Sequence, residues 1–155
     1  MVKKIKISKR EQKETLQKLS QLGNEKVCPV AIFIKDEKIL CGLRHYTPDK
    51  WKIISLWTCP GGRCDKGETV EKTLRREVKE EIGITNFKVL NYIGEVPGAK
   101  KGDVCIIFLC ETSQSPKLME PKKFSEWKWF PKNDLPKNYI NDDIKKIIIS
   151  LKNLN

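Results

Sequence analysis

No apolar run in the 155-residue chain approaches the roughly 18 residues that span a bilayer, so a membrane helix is not expected. The opening stretch MVKKIKISKREQ is charged where a signal peptide carries its apolar segment, which points to the cytoplasm. Histidine occurs once, as His45. The six cysteines (Cys28, Cys41, Cys59, Cys64, Cys105 and Cys110) include no CxxC pair and sit among apolar segments. Small buried hydrophobes are therefore expected, rather than a zinc site or a disulfide framework. Internal repeats and long linkers are also missing. Acidic residues fall short of basic ones, 20 against 31, giving a formal charge of +11. Such a surface attracts polyanions, nucleotides and nucleic acid included. The excess is spread along the chain, densest over residues 1–26, and identifies no partner by itself.

What is present is enough for one domain with its own core: four Trp, five Phe and three Tyr in a chain that is 39% hydrophobic. Residues 8–22 read as a short amphipathic helix. Ser8 and Glu11 form a capping box, Leu16, Leu19 and Leu22 recur at helical spacing, and Gly23 ends it. It is expected as an extension, residues 1–26, packed on a domain of residues 27–155 or on a partner. Its leucine stripe makes a homodimer one candidate assembly.

Val27–Lys35 and Lys38–Arg44 read as a β-hairpin around Asp36-Glu37. After a polar loop over 45–56, Leu56–Cys59 is a short strand and Thr69–Ile82 a helix. Lys88–Val96, Val104–Glu111 and Ser125–Phe130 complete the strands, with a Gly- and Lys-rich loop at Pro97–Asp103. Asn141-Asp142 can cap a last helix bearing Ile144, Ile147, Ile148 and Leu151 on one face. The sum is an α/β sandwich with a mixed sheet.

The chemistry concentrates between Gly62 and Ile84, GRCDKGETVEKTLRREVKEEIGI. Gly61 and Gly62 let the chain turn sharply after Pro60. Glu68 lies at the positive end of the following helix, and Gly83 takes the C′ position. On the helical wheel Val70, Leu74, Val78 and Ile82 share a face that can meet a sheet. Glu77, Glu80 and Glu81 crowd another, at spacings where like charges repel. Arg76 can reach Glu80 and Arg75 can reach Glu71, but neither offsets all three acids. A divalent cation would, since clustered carboxylate oxygens suit Mg²⁺ and Mn²⁺. Spacing alone leaves open a solvated acidic face balanced by Lys72 and Lys79.

These residues resemble the Nudix box, G-x5-E-x7-R-E-U-x-E-E-x-G-U with U apolar. Gly62, Glu68, Arg76, Glu77, Val78, Glu80, Glu81, Gly83 and Ile84 fill all nine specified positions across twenty-three residues. The resemblance, over roughly residues 27–152, implies a Nudix-type α/β/α sandwich and a catalytic loop–helix–loop. It also implies a Mg²⁺- or Mn²⁺-dependent hydrolase of a nucleoside-diphosphate derivative. Glu77, Glu80 and Glu81 would be the metal ligands, Arg76 would orient them, Gly61 and Gly62 would shape the substrate loop, and Glu68 would support from behind.

Within the family the chain looks most like the MutT-type nucleoside triphosphate pyrophosphohydrolases. In FSEWKWF, Glu126 is then a candidate catalytic residue, an extra metal ligand or general base; the alternative is an exposed strand carboxylate beside Lys128. Arg44 is a candidate phosphate contact, against an ordinary surface cation. Asn141 resembles a base-reading asparagine, although a helix cap is the favoured role. Trp51, Trp57 and Tyr139 could stack on a base, with core packing the default, and Trp127 and Trp129 share one strand face. Nucleotide sugars, ADP-ribose and dinucleoside polyphosphates are the alternative substrates. A nucleotide- or RNA-binding module without turnover is the reading from another class, disfavoured by the complete set of box acids.

Overall fold

The computed structural model describes residues 5–45 and 55–151. Its elements are α1 (Lys9–Ser20), β1 (Val27–Lys35), β2 (Lys38–Arg44), β3 (Leu56–Thr58), α2 (Val70–Ile82), β4 (Lys88–Pro97), β5 (Val104–Glu111), β6 (Phe124–Pro131) and α3 (Asp142–Ser150). β1 runs parallel to β5, and all other pairings are antiparallel, so the sheet is mixed. It runs β3-β2-β1-β5-β4, with β6 on the other edge of β2.

β1 and β5 are near-continuous apolar runs because both of their faces are covered. Ala31, Phe33, Ile106, Phe108 and Cys110 meet Val70, Leu74, Val78 and Ile82 of α2 in one core. Val30, Ile32, Cys105, Ile107 and Leu109 meet Ile144 and Ile148 of α3 in the other. The helix–sheet–helix layering is that of an α/β/α sandwich. Five cysteines are buried and Cys28 is half-buried; all six are free thiols. Tyr139 is buried with its hydroxyl 2.7 Å from Cys59 Sγ, and Trp57 packs edge-on against Phe130, so both serve the core. Trp127 and Trp129 pack together against the α2-side core, as their shared face requires. Trp51 lies outside the described residues.

The β1–β2 hairpin turns through Asp36 (φ 52°) and Glu37 (φ 62°), both left-handed. Such two-residue turns match the strand twist but favour Asn and Gly. Glu37→Gly should therefore raise the unfolding free energy by about 1 kcal/mol, read as a higher urea midpoint; an unchanged or lower midpoint would contradict the strain.

The first helix is shorter than its periodicity predicts. It ends at Ser20 with Gln21 as C-cap, and Leu22 lies in extended chain bridged to Thr69. Leu22 and Leu16 are each 65% exposed, while Leu19 is buried in the α2-side core. The expected stripe is thus divided: its middle leucine is spent inside this chain, and Leu22 is not on the helix.

Candidate functional site

Three segments converge at the start of α2. The chain from Pro60 to Cys64 lies along β1, with Ala31 N–H donating to Pro60 O, Gly62 N–H to Pro29 O and Cys64 N–H to Val27 O. A Cβ on Gly61 would stand 2.4 Å from Pro29 O, and one on Gly62 would stand 2.4 Å from Glu77 Cδ. Glycine at 61 thus permits close backbone approach, and glycine at 62 leaves room for a carboxylate. Thr69 caps α2 by accepting from Lys72 N–H, and Gly83 ends it in the left-handed region.

Arg76 is the hub. Its Nε and Nη2 each donate to Glu68 at 2.9 Å, its Nη1 reaches Glu77 at 3.0 Å and Glu80 at 3.4 Å, and its Nη2 also donates to Arg63 O at 3.2 Å. Glu68 is buried and also accepts from Asp65 N–H and the Thr73 hydroxyl. The Arg76 guanidinium holds the Glu68 carboxyl down to about 2 and is itself pushed up. Arg75 reaches Glu71 at 3.1 Å, as the spacing predicts, and also covers the Phe87 ring.

The three clustered glutamates differ in environment. The Glu80 side chain is 49% exposed. Glu77 is mostly covered, and burial raises its pKa against the opposing charge of Arg76. Glu81 is only 5% exposed, and among the described residues only Gly61 N–H donates to it, at 2.8 Å. Burial pushes the Glu81 carboxyl up to about 8, opposed by the Gly61 N–H and by Arg44, and reinforced by Glu77 and Glu120. Arg76 reaches no oxygen of Glu81 within ion-pair distance.

Glu120 was not legible in the sequence. It lies in the turn before β6, which His45 fixes by donating from its backbone N–H to Lys123 O and from Nε2 to Pro121 O at 3.1 Å. That turn brings Glu120 toward Glu81 and Lys123 toward Glu77. Glu126, the expected acid from this region, is instead exposed on β6 opposite Leu43, without an ion pair among the described residues. The β2–β6 register shifts between Leu43 and Arg44. Arg44 ends β2 with its guanidinium 6.0 Å from the Phe124 ring centre, close enough for its charge to act on Glu81. Asn141 takes the capping role: its Oδ1 accepts from Asp143 and Ile144 N–H, and its Nδ2 donates to Pro97 O. That engagement commits Oδ1 to the helix start and one Nδ2–H to the β4 end.

The site is a set of oxygen donors, the hard ligands that suit Mg²⁺ or Mn²⁺ better than softer metals. Among the described residues no three acidic, His or Cys side chains converge on one point as they stand, and Arg76 Nη1 contacts both Glu77 and Glu80. The donors fit a divalent ion in chemistry: Glu81 is a buried acid with one neutral donor, and the half-exposed Glu80 carboxylate stands at the surface beside Arg76.

The family model described as the NUDIX domain matches residues 27–151. The NAD-capped RNA hydrolase NudC of Mannheimia succiniciproducens is 31% identical over 107 residues, covering 67% of this chain and 39% of that protein. The chain thus spans well under half the length of this curated relative. Among solved structures, a MutT NUDIX hydrolase from Burkholderia pseudomallei is 25% identical with a TM-score of 0.67, covering 82% of this chain and 98% of that one. An ADP-ribose pyrophosphatase from Streptococcus suis 89-1591 shares the fold at 19% identity, TM-score 0.60, with coverage of 85% and 97%.

Proposed function

The chain belongs to the NUDIX domain family, and we propose that it is a pyrophosphohydrolase whose substrate is a nucleoside triphosphate, cleaved to a nucleoside monophosphate and pyrophosphate. The observation that carries the reading is the buried Glu81 beside Glu77 and Glu120, a concentration of acid with too little cationic charge against it. The family implies a divalent metal, and Glu77, Glu80 and Glu81 are the residues we assign to hold Mg²⁺ or Mn²⁺. When bound, the ion supplies charge neutralisation on the phosphate oxygens and a more acidic attacking water.

The chain's own residues do the rest. Glu126, expected from the resemblance, and Glu120, whose charge acts on Glu81 from the turn before β6, are the acids we assign to accept a proton from water or to add an oxygen ligand. Arg76 is a positioning residue that sets Glu77 and Glu80 from its anchor on Glu68. Arg44 meets substrate phosphate beside Glu81, and Gly61 and Gly62 keep the loop close to β1. The likeness to a MutT hydrolase over nearly that protein's full length favours the triphosphate over other nucleotides. A second reading, a dinucleotide of the NAD type, is motivated by the NAD-capped RNA hydrolase relative. Nucleotide sugars, ADP-ribose and dinucleoside polyphosphates complete the alternatives, and RNA binding without turnover is disfavoured by the filled box.

A panel of triphosphates, NAD, ADP-ribose and nucleotide sugars with Mg²⁺, with products separated by chromatography, tests this. Pyrophosphate released from a triphosphate by the wild type, and not by Glu80→Gln, is the expected result. Monophosphates from NAD or a nucleotide sugar, with no pyrophosphate from any triphosphate, would replace the triphosphate reading.

A further inference from the structure

The family match begins at Val27, yet the segment ahead of it is bonded directly to the box. Leu22 and Thr69 form an antiparallel bridge. On either side of it Val70 N–H donates to Gln21 O at 2.9 Å and Gly23 N–H donates to Glu68 O at 2.8 Å. The Val70 N–H is one of the donors that a helix start leaves without an intrahelical partner, so Gln21 satisfies an orphan of α2 itself. Gly23 is held tightly, since a Cβ there would stand 2.3 Å from Cys64 Sγ, and Cys64 is in the box loop.

The other end of the segment is fixed to the sheet. The hydroxyl of buried Thr15 accepts from Tyr92 N–H at 2.9 Å, donates to Glu11 O of its own helix at 2.8 Å and lies 3.2 Å from Asn91 Oδ1. Lys18 pairs with Glu95 of β4, and Leu19 shares a core with Val70, Leu74 and Val78. Residues 9–23 therefore tie the β4 strand to the backbone of Glu68 and to the first turn of α2.

We infer that α1 and Gln21–Gly23 are a brace for the metal-binding helix, with Thr15, Leu19 and Gly23 as positioning residues. The brace fixes the Glu68 backbone, the Glu68 carboxylate fixes Arg76, and Arg76 fixes Glu77 and Glu80. This rests on the reading that those glutamates hold a divalent ion.

The test uses the full chain with Thr15→Val and Gly23→Ala, and Ile148→Val in the opposite core as a control for stability. Mn²⁺ binding to substrate-free protein is measured by electron paramagnetic resonance, the Mg²⁺ dependence of hydrolysis is followed separately, and Tm is recorded for each variant. Both brace variants should weaken Mn²⁺ binding and raise half-saturating Mg²⁺ by about tenfold, the size expected when one or two hydrogen bonds are lost. Ile148→Val should lower Tm and move neither. Brace variants that lose Tm as the control does, with an unchanged Mn²⁺ Kd, overturn the inference. A wild type that binds Mn²⁺ but hydrolyses no phosphoanhydride would sink the substrate reading alone, because the brace is still read from Mn²⁺ binding. A wild type that binds no Mn²⁺ overturns both.

Discussion

Replacing Glu81 by Gln is expected to lower kcat/KM by at least about a hundredfold while making the metal-free protein more stable at alkaline pH. The two effects have one origin. Burial raises the Glu81 pKa to about 8, with Glu77 and Glu120 adding to the shift and Gly61 N–H opposing it. An acid whose folded pKa lies above its unfolded value of 4.5 favours folding while neutral. Its contribution is therefore full below pH 4.5 and is lost as pH rises through about 8. Each pKa unit is worth about 1.4 kcal/mol, so the loss is on the order of 5 kcal/mol for a group this buried.

Glutamine keeps an oxygen for the Gly61 N–H and never ionises, so the variant escapes that loss. Urea midpoints at about pH 5 and about pH 9, without metal, should fall steeply for the wild type and little for Glu81→Gln. Mg²⁺ should restore the wild type at the higher pH and leave the variant unchanged. Parallel pH profiles for the two proteins would show that Glu81 carries no such burden, and full activity in the variant would remove it from the site.

Most of the frame was legible because local and tertiary demands agree. Val70, Leu74, Val78 and Ile82 are all fully buried, as the four-residue period requires, and the apolar runs of β1 and β5 are those of doubly covered strands. Gly62 is specified by the box and explained by the Glu77 carboxylate that occupies the space a side chain would need. What could not be read arises from contacts between distant segments. The charge of Glu120 acts on Glu81 from a turn before β6 that His45 bonds at Pro121 and Lys123, and no local spacing signals that. Glu126 stood out through its Trp neighbours, and it lies exposed on β6 opposite Leu43. The end of α1 misled for a similar reason: leucines at helical spacing continue to Leu22, but pairing with Thr69 draws that residue into extended chain. Asn141 serves as the cap that its place before Asp142 suggested.

Arg76→Ala is the second large effect, and it acts on stability as well as on the site. Arg76 is only 28% exposed, and its partner Glu68 is buried with both oxygens committed. Removing the guanidinium leaves that carboxylate with the Asp65 N–H and the Thr73 hydroxyl alone. Breaking a buried ion pair on one side costs about 3 kcal/mol, more than an exposed pair would, because the remaining charge loses its counter-ion. Arg76→Lys keeps the charge but not the two-pronged contact, so roughly half that loss is expected. Glu68→Gln in the Arg76→Ala background removes the orphaned charge and should recover about 1–2 kcal/mol. The sign with pH follows from Glu68, whose pKa the Arg76 guanidinium depresses to about 2 from 4.5. Its stabilisation is present above pH 4.5 and lost as pH falls through about 2, so the gap between wild type and Arg76→Ala should be wide near neutrality and close in acid. Urea midpoints at about pH 6 and about pH 2.5 measure that gap. A gap equally wide at both would mean that Arg76 stabilises by packing its stem rather than by pairing with Glu68. Glu77 and Glu80 lose their shared partner in the same variant, so hydrolysis should require more Mg²⁺ even where the protein is fully folded.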